Sequence, residues 1–342
     1  MTEITLSLED INNLAKKILL FNGCDEENAS ILSNTIMRAE RDGSLSHGLF
    51  RLPAYVAALK SKKVNGKARP EIKKISPSII KILGNNAFAP MVLKIGLPEL
   101  IKLAKETGVA VLAITNSHHM AAMWPETEAI AEEGLVGFAC TSYKPMVAPA
   151  GAKKALFGTN PICFGSPSGN KIPFILDTSV SIINRGKIRR AEKLGHNIPF
   201  GVALDKYGNP TRNAKKALKG VQLPISGFKG SGLAWMVDIV SGVMTGANHG
   251  GKVKDPFDDL TGPQNVGHLF IVIKPSIFVG KNYFSQIKKN IKTVKRLPKS
   301  NKIKQILYPG ERKYANYRKN IKKSIVIPKN ILEEIKELNA IK

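Results

Sequence analysis

The sequence predicts an α/β fold with a mostly helical N-terminal region ahead of the strands. Three observations carry that prediction. Apolar residues recur at helical spacing near the start, as in Ile11, Leu14, Ile18 and Phe21. Apolar runs of strand length, Val109–Thr115 and Leu135–Thr141, flank a helix-length segment. With 342 residues, 43% of them hydrophobic, the chain can bury a large core as two domains or one long α/β unit.

Composition excludes several classes. The longest apolar runs are far too short to cross a bilayer, so no membrane partner is expected. The first residues show no basic stretch followed by an apolar one, so no signal peptide is expected. Cys24, Cys140 and Cys163 are scattered and odd in number, which suits a reducing cytoplasm. The net charge is +26. Residues 281–342 hold 18 Lys or Arg and 4 Asp or Glu, a net of +14, so over half the excess lies there. A nucleic-acid-binding tail would show such a bias. Here, however, Phe284, Ile287, Ile291 and Val294 recur every three or four residues, so the lysines line the solvated face of a helix. Aromatic residues are 6%, too few for base stacking, and no nucleic-acid partner is expected. A basic surface would still attract anionic cofactors and substrates.

Taken in order, Ser7 to Asp10 forms a capping box ahead of the first helix, which Gly23 ends. Asp25 caps a second helix that buries Leu32, Ile36 and Ala39. Residues 53–66 predict a short helix ending at Gly66, and Ile72 to Leu83 a pair of strands, closed by a Gly84-Asn85-Asn86 turn. Leu97–Glu106 predicts a helix with Pro98 in its first turn, then the buried strand at Val109. A helix through Ala131 and the strand Leu135–Thr141 follow. Phe174–Leu176 is a strand running into Asp177-Thr178-Ser179, with a helix to about Leu194. Gly201–Asp205 is a short strand, and Lys206 to Asn209 a tight turn. Gly227-Phe228-Lys229-Gly230 opens a helix through Val240, and Gly267–Ile273 is a strand. Tyr308 to Lys313 is a basic turn, and Ile325–Ile327 precedes a capped final helix.

Chemistry concentrates between Arg41 and Pro53. His47 can hold or give a proton near neutral pH. Arg51, four residues on, can clamp a carboxylate with two parallel hydrogen bonds. Together they suggest a site for a small acid whose neighbouring atom is protonated. Asn116-Ser117-His118-His119 lies at the carboxyl end of a strand, where α/β proteins place ligands. No carboxylate or cysteine stands at ligand spacing from these histidines, so no metal is expected. Asp177 is either a helix cap or a ribose ligand. Glycines and Lys229 at a helix N-terminus suit a phosphate.

The order of these motifs resembles the type 2 malate/L-lactate dehydrogenase family over nearly the whole chain. Ser46-His47-Gly48 with Arg51-Leu52-Pro53, Asn116 to His119, Val147-Ala148-Pro149, Gly158-Thr159-Asn160-Pro161, Gly227 to Gly230 and Pro309-Gly310-Glu311-Arg312 carry it. The resemblance implies a non-Rossmann fold, a mixed sheet with flanking helices, acting as a homodimer. It implies a helical substrate and dimerisation domain from residues 1–84 with 297–342, and an NAD(P)-binding α/β domain over 85–296. His47 would be the proton donor, with Ser46 in its relay, and Arg51 and Thr159 would bind substrate. The cofactor, NADPH with NADH as the alternative, would lie along His119, Met120, Ala121, Ala122 and Met123. Asp177, Thr178, Ser179, Lys229, Gly230, Gly310, Glu311 and Arg312 would complete its site.

His118-His119 followed by Met123-Trp124-Pro125-Glu126 looks most like the Δ1-piperideine-2-carboxylate/Δ1-pyrroline-2-carboxylate reductases. That likeness implies hydride transfer to a cyclic imine carboxylate. Lys187 stands where those reductases carry an acidic relay residue, and Arg185-Gly186-Lys187 looks like the malate-type members. The alternative substrate is therefore a 2-hydroxy acid: malate, lactate, ureidoglycolate or sulfolactate, with a 2-oxo acid in the reducing direction. Arg312 and Lys313 could meet a 2′-phosphate, which favours NADPH.

Overall fold

The computed structural model describes residues 3–256 and 262–338. A short strand, β1 (Glu3–Leu6), leads into α1 (Leu8–Phe21) and α2 (Glu26–Arg41). Ser7 and Asp10 exchange hydrogen bonds of 3.0 and 3.1 Å as a capping box, and Asp25 accepts the Asn28 N–H at 2.9 Å. Gly23 turns the chain between the two helices at φ 103°, which a side chain would resist. Two short 3-10 turns, Leu45–His47 and Leu49–Arg51, run into α3 (Leu52–Lys60). These helices bury Ile11, Ile18, Leu32, Ile36, Leu52 and Tyr55 in one core.

Strands β2 (Glu71–Ser76) and β3 (Ile79–Ala87) precede α4 (Ala89–Thr107) and β4 (Val109–Ser117). Then come α5 (Trp124–Glu132), β5 (Val136–Thr141), β6 (Ile162–Ser166), β7 (Phe174–Thr178) and α6 (Arg185–Lys193). A small pair, β8 (Ala203–Leu204) and β9 (Val221–Gln222), encloses α7 (Ala214–Lys219). Next, α8 (Phe228–Asp238) continues into a π-turn over Ile239–Val243, and β10 (Val266–Ile273) follows. The chain ends with α9 (Ser276–Val279), α10 (Asn282–Arg296), α11 (Glu311–Asn320), β11 (Ile325–Pro328) and α12 (Lys329–Glu337). β11 pairs with β1, and Ile325, Ile327, Leu332 and Ile335 join the helical core.

Seven strands form one mixed sheet in the order β2-β3-β4-β10-β5-β6-β7. Only β3 and β4 run parallel; α4 is their crossover. One face packs Ile82, Leu112, Ile114, Ala139, Cys163, Phe270 and Val272 against α4 and α5. On the other, Cys140 and Leu269 meet Val237 of α8. The register aligns Ser117 with Val266, His268 with Thr141, Cys140 with Ile162, and Ile162 with Thr178. The C-terminal ends of β4, β5 and β7 and the start of β6 therefore share one rim. No helix among the described residues is long and apolar enough to cross a membrane.

Several elements differ from the sequence expectation. Gly84-Asn85-Asn86 is not a closing turn. It lies inside β3, where Asn85 and Asn86 take left-handed φ values of 50° and 59° and shift the register against β4. The expected domain boundary at residue 84 falls within that strand. The helix expected from Leu97 starts at Ala89, with Pro98 in its interior. An interior proline costs about 3 kcal/mol in a helix. Burial of Met91, Val92, Leu93, Leu100, Leu103 and Ala104 against the sheet outweighs it. The helix expected over 53–66 stops at Lys60, and the one after Ser179 starts at Arg185 behind an Asn184 cap. Tyr308 to Lys313 is no extended basic turn, since α11 starts at Glu311. The final helix has no side-chain cap.

Candidate active site

The fold assembles one open cavity of about 510 Å³ at the shared rim of the sheet. One wall is the segment between α2 and α3. Glu40, buried in the last turn of α2, accepts the Leu49 N–H at 2.8 Å and so pins the turns that carry His47 and Arg51. Gly48 makes this possible, because a Cβ there would lie 2.1 Å from the Glu40 Oε1. Burial pushes the Glu40 carboxyl up to about 7.

His47 and Ser46 lie on this wall, with Ser46 Oγ 3.1 Å from His47 Nδ1. That contact leaves Nε2 as the ring nitrogen available for proton transfer. Burial, and then the Arg51 guanidinium, push the imidazole down to about 3. His47 meets the Trp124 indole edge-on at 6.5 Å. Trp124 is held by its Nε1, which donates to Asp42 Oδ2 at 3.2 Å.

The loop after β4 supplies His119, Met120, Ala121, Ala122 and Met123 to the cavity. The two histidines diverge. His119 faces the cavity 5.0 Å from the Tyr143 ring, while His118 is buried edge-on to Phe88 at 5.7 Å. Burial, with Arg51 and the neighbouring histidines, holds His119 well below the usual histidine range. Among the described residues no group of three or more His, Cys, Asp or Glu side chains is placed to hold a metal ion.

Thr159 lines the cavity from the loop before β6. Gly158 lets that loop press on the backbone of Tyr143, where a Cβ would meet the carbonyl at 2.3 Å. Asn160 is fully buried and ties the loop down. Its Oδ1 accepts the Tyr143 N–H at 3.1 Å and its Nδ2 donates to the Ala234 carbonyl at 2.9 Å. Asp177, Thr178 and Ser179 line the cavity from the end of β7. Asp177 is a helix cap, but of α5: its Oδ2 accepts the N–H groups of Met123 and Trp124 at 3.2 Å each.

From the far end of the chain, α11 docks on this site. Asn320 and Asn316 donate to the carbonyls of Arg41 and Asp42 at 2.8 and 3.3 Å. Arg312 and Lys313 thereby reach the cavity. Lys313 Nζ lies 4.2 Å above the Trp124 ring and has no hydrogen-bond partner among the described residues. Burial pushes it down to about 8. A buried ammonium without a hydrogen-bond acceptor, facing an open cavity, suits an anionic ligand. The residues present therefore fit the phosphates of a dinucleotide.

Four of the sequence-derived residues are not brought to this cavity. Gly310 and Glu311 turn away at the start of α11, where Glu311 pairs with Lys295 and accepts the Tyr308 N–H at 3.1 Å. Lys229 and Gly230 sit at the start of α8 and do not line it. Sequence reasoning missed Glu40, Tyr143 and Arg189. Arg189 and Arg185 reach the cavity from α6, while Lys187 is exposed and outside it. No motif marks any of the three, because folding and not local spacing places each of them.

A model of the malate/L-lactate dehydrogenase family matches residues 6–336. The chain belongs to that family. It is accordingly an oxidoreductase that acts on a small molecule with a nicotinamide cofactor. Among its relatives, Delta(1)-pyrroline-2-carboxylate reductase 1 of Burkholderia ambifaria is 35% identical over 98% of this chain and 97% of its own length. The malate/(S)-sulfolactate dehydrogenase of Methanothermus fervidus is 34% identical over 97% and 96%. The crystal structure of delta1-piperideine-2-carboxylate reductase from Pseudomonas syringae superposes with a TM-score of 0.90. It is 34% identical and covers 98% of this chain and 99% of that one. The fold is thus the α/β fold of this family, as the motifs implied.

The buried Glu40 carries a sign-specific prediction. The folded chain keeps its proton between about pH 4.5 and 7, where the unfolded chain has lost it. This group therefore favours folding below that window and opposes it as pH rises through 7. Urea unfolding from pH 5 to 8 should show Glu40→Gln gaining on the wild type by at most about 1.4 kcal/mol per pH unit. Parallel curves would remove the buried, proton-holding role.

Proposed function

We propose that this enzyme reduces a cyclic imine carboxylate, Δ1-pyrroline-2-carboxylate or Δ1-piperideine-2-carboxylate, to L-proline or L-pipecolate. The observation that carries this reading is the meeting of His47, Arg51, His119 and Thr159 in one cavity with a lysine, Lys313, whose ammonium has no hydrogen-bond partner among the described residues. Arg51 clamps the substrate carboxylate and Thr159 helps to seat it. The bound anion offsets the Arg51 charge, which lets His47 take up a proton at Nε2. His47 then gives that proton to the imine nitrogen, and Ser46 holds Nδ1. Bound NAD(P)H supplies the hydride to the carbon beside the carboxylate. Arg312 and Lys313 favour NADPH, since a 2′-phosphate answers their charge. Three scattered buried thiols agree with a cytoplasmic location.

A specific observation favours a second reading, reduction of a 2-oxo acid with two acidic groups. Among the described residues no carboxylate bonds to the His47 ring. The corresponding wall carries Arg185 and Arg189 instead. Arg185 donates to the Leu218 carbonyl at 2.8 Å, whereas Arg189 has no such partner among the described residues and could hold a second anion.

We also propose that the enzyme works as a homodimer. The surface of α8 and its π-turn leaves Phe228 83%, Trp235 61% and Met244 66% exposed. Lys229 and Gly230, which belong to the cofactor set by resemblance, lie at the start of that same helix. A second copy seated there would cover the apolar surface and carry Lys229 toward another cavity.

Four measurements test these proposals. A spectrophotometric screen of Δ1-pyrroline-2-carboxylate, Δ1-piperideine-2-carboxylate, pyruvate and oxaloacetate should give fastest turnover on an imine, and with NADPH over NADH. A preference for oxaloacetate would select the second reading, and silence on all four would sink both. His47→Ala should lower kcat/KM by roughly 10²–10⁴-fold while NADPH binding survives. For the wild type kcat/KM should fall as pH rises, because the free imidazole is pushed down to about 3 and its protonated fraction shrinks. Light scattering should find a dimer that Trp235→Glu splits; a wild-type monomer would refute that assembly.

A further inference from the structure

A second cavity, of about 530 Å³, lies on the far side of the α11 N-terminus from the catalytic one. Its walls are α10, the turn at residues 170–172 and the turn at Tyr308. Five cations converge on it: Lys171, Lys288, Lys292, Lys295 and Arg296. The single carboxylate in its wall, Glu311, is already engaged by Lys295 and by the Tyr308 N–H. Lys171, Lys288, Lys292 and Arg296 have neither an ion pair nor a hydrogen bond among the described residues. Lys288, Lys292 and Arg296 recur every four residues, so they stack on one helix face and repel one another. Arg296 and Lys295 complement the dipole at the end of α10, but Lys288 and Lys292 stand too early in the helix for that account. The floor is firm and mostly apolar. Ile291 is 5% exposed, and Tyr308, 8% exposed, donates its hydroxyl to the Ile172 carbonyl at 2.8 Å and stacks on Phe174. A concave, low-dielectric floor beneath converging like charges focuses a positive potential.

We propose that this cavity binds a small, multiply charged anion of the polyphosphate class. A single charge would leave the surplus of cations largely uncompensated, whereas linked phosphates can bridge several lysines at once. The Tyr308 ring is already covered by Phe174 and Lys295, so recognition falls on charge and not on a stacked base. Its walls share no residue with those of the catalytic cavity, and the proposal does not depend on the reaction proposed above.

Calorimetric titration of the full chain with inorganic tripolyphosphate tests this. The titration is run with NADP⁺ saturating and at roughly 0.15 M salt, so that diffuse charge effects are screened. The expected result is saturable binding of one anion per chain. The double variant Lys288→Gln/Lys292→Gln should weaken it by about tenfold or more, two charge-assisted contacts being lost. Lys322→Gln/Lys323→Gln, which removes as much charge from another exposed stretch, should leave it unchanged. Four outcomes would overturn the proposal: no saturable heat, equal loss in both variants, abolition by NADP⁺, or tighter capture of a mixed-sequence DNA oligonucleotide by the same two lysines. Equal loss would mean a diffuse counter-ion cloud, and tighter DNA capture a nucleic-acid surface.

Discussion

Two cationic groups in one partly dry pocket set the terms of this site. Burial and the Arg51 guanidinium beside it make His47 surrender its charge. Burial contributes the larger share and the guanidinium the rest. A negative group seated between them would make protonation of the imidazole more favourable. His119, held down by burial and by Arg51, obeys the same rule.

Such a pair needs rigid support, and the fold supplies it from three distant parts of the chain. Glu40 ties the His47 turn to α2 through a buried hydrogen bond. Asp177 ties the end of β7 to the start of α5, which carries Trp124 under His47. Asn316 and Asn320 clip α11 onto the end of α2. The seven-stranded sheet underlies all three, because its register brings the ends of β4, β5, β6 and β7 to one rim. Loops on such a frame can vary in chemistry while keeping their positions, consistent with a family that holds both imine reductases and hydroxy-acid dehydrogenases.

Charge is distributed unevenly around α11. Arg312 and Lys313 look into the catalytic cavity, while Glu311 faces the lysine-lined cavity behind it. The helix thus separates two positive basins. The net +26 charge is in part a surface habit, but at these two places it lines a cavity, and behind α11 that cavity has an apolar floor. A concave wall of like charges focuses the field there.

Much of this molecule was legible before folding. The capping box at Ser7, the Asp25 cap, the buried run from Val109 and the joint order of the His47, Thr159 and Gly227 motifs each rest on neighbouring residues. They could be inferred because caps, periodicity and turn chemistry act over a few positions. What stayed hidden depends on contacts far apart in the chain. Pro98 sits inside a helix because the sheet beneath rewards burial more than the proline costs. Asp177 caps a helix more than fifty residues upstream, and the stretch after Pro309 becomes a helix docked on Arg41 and Asp42. The sequence by itself determined which side chains could do acid–base and anion chemistry. Only the tertiary structure decided that, within one chain, Glu40, Tyr143 and Arg189 join them while Lys187 does not, because strand register and burial, unlike local spacing, select which distant groups meet.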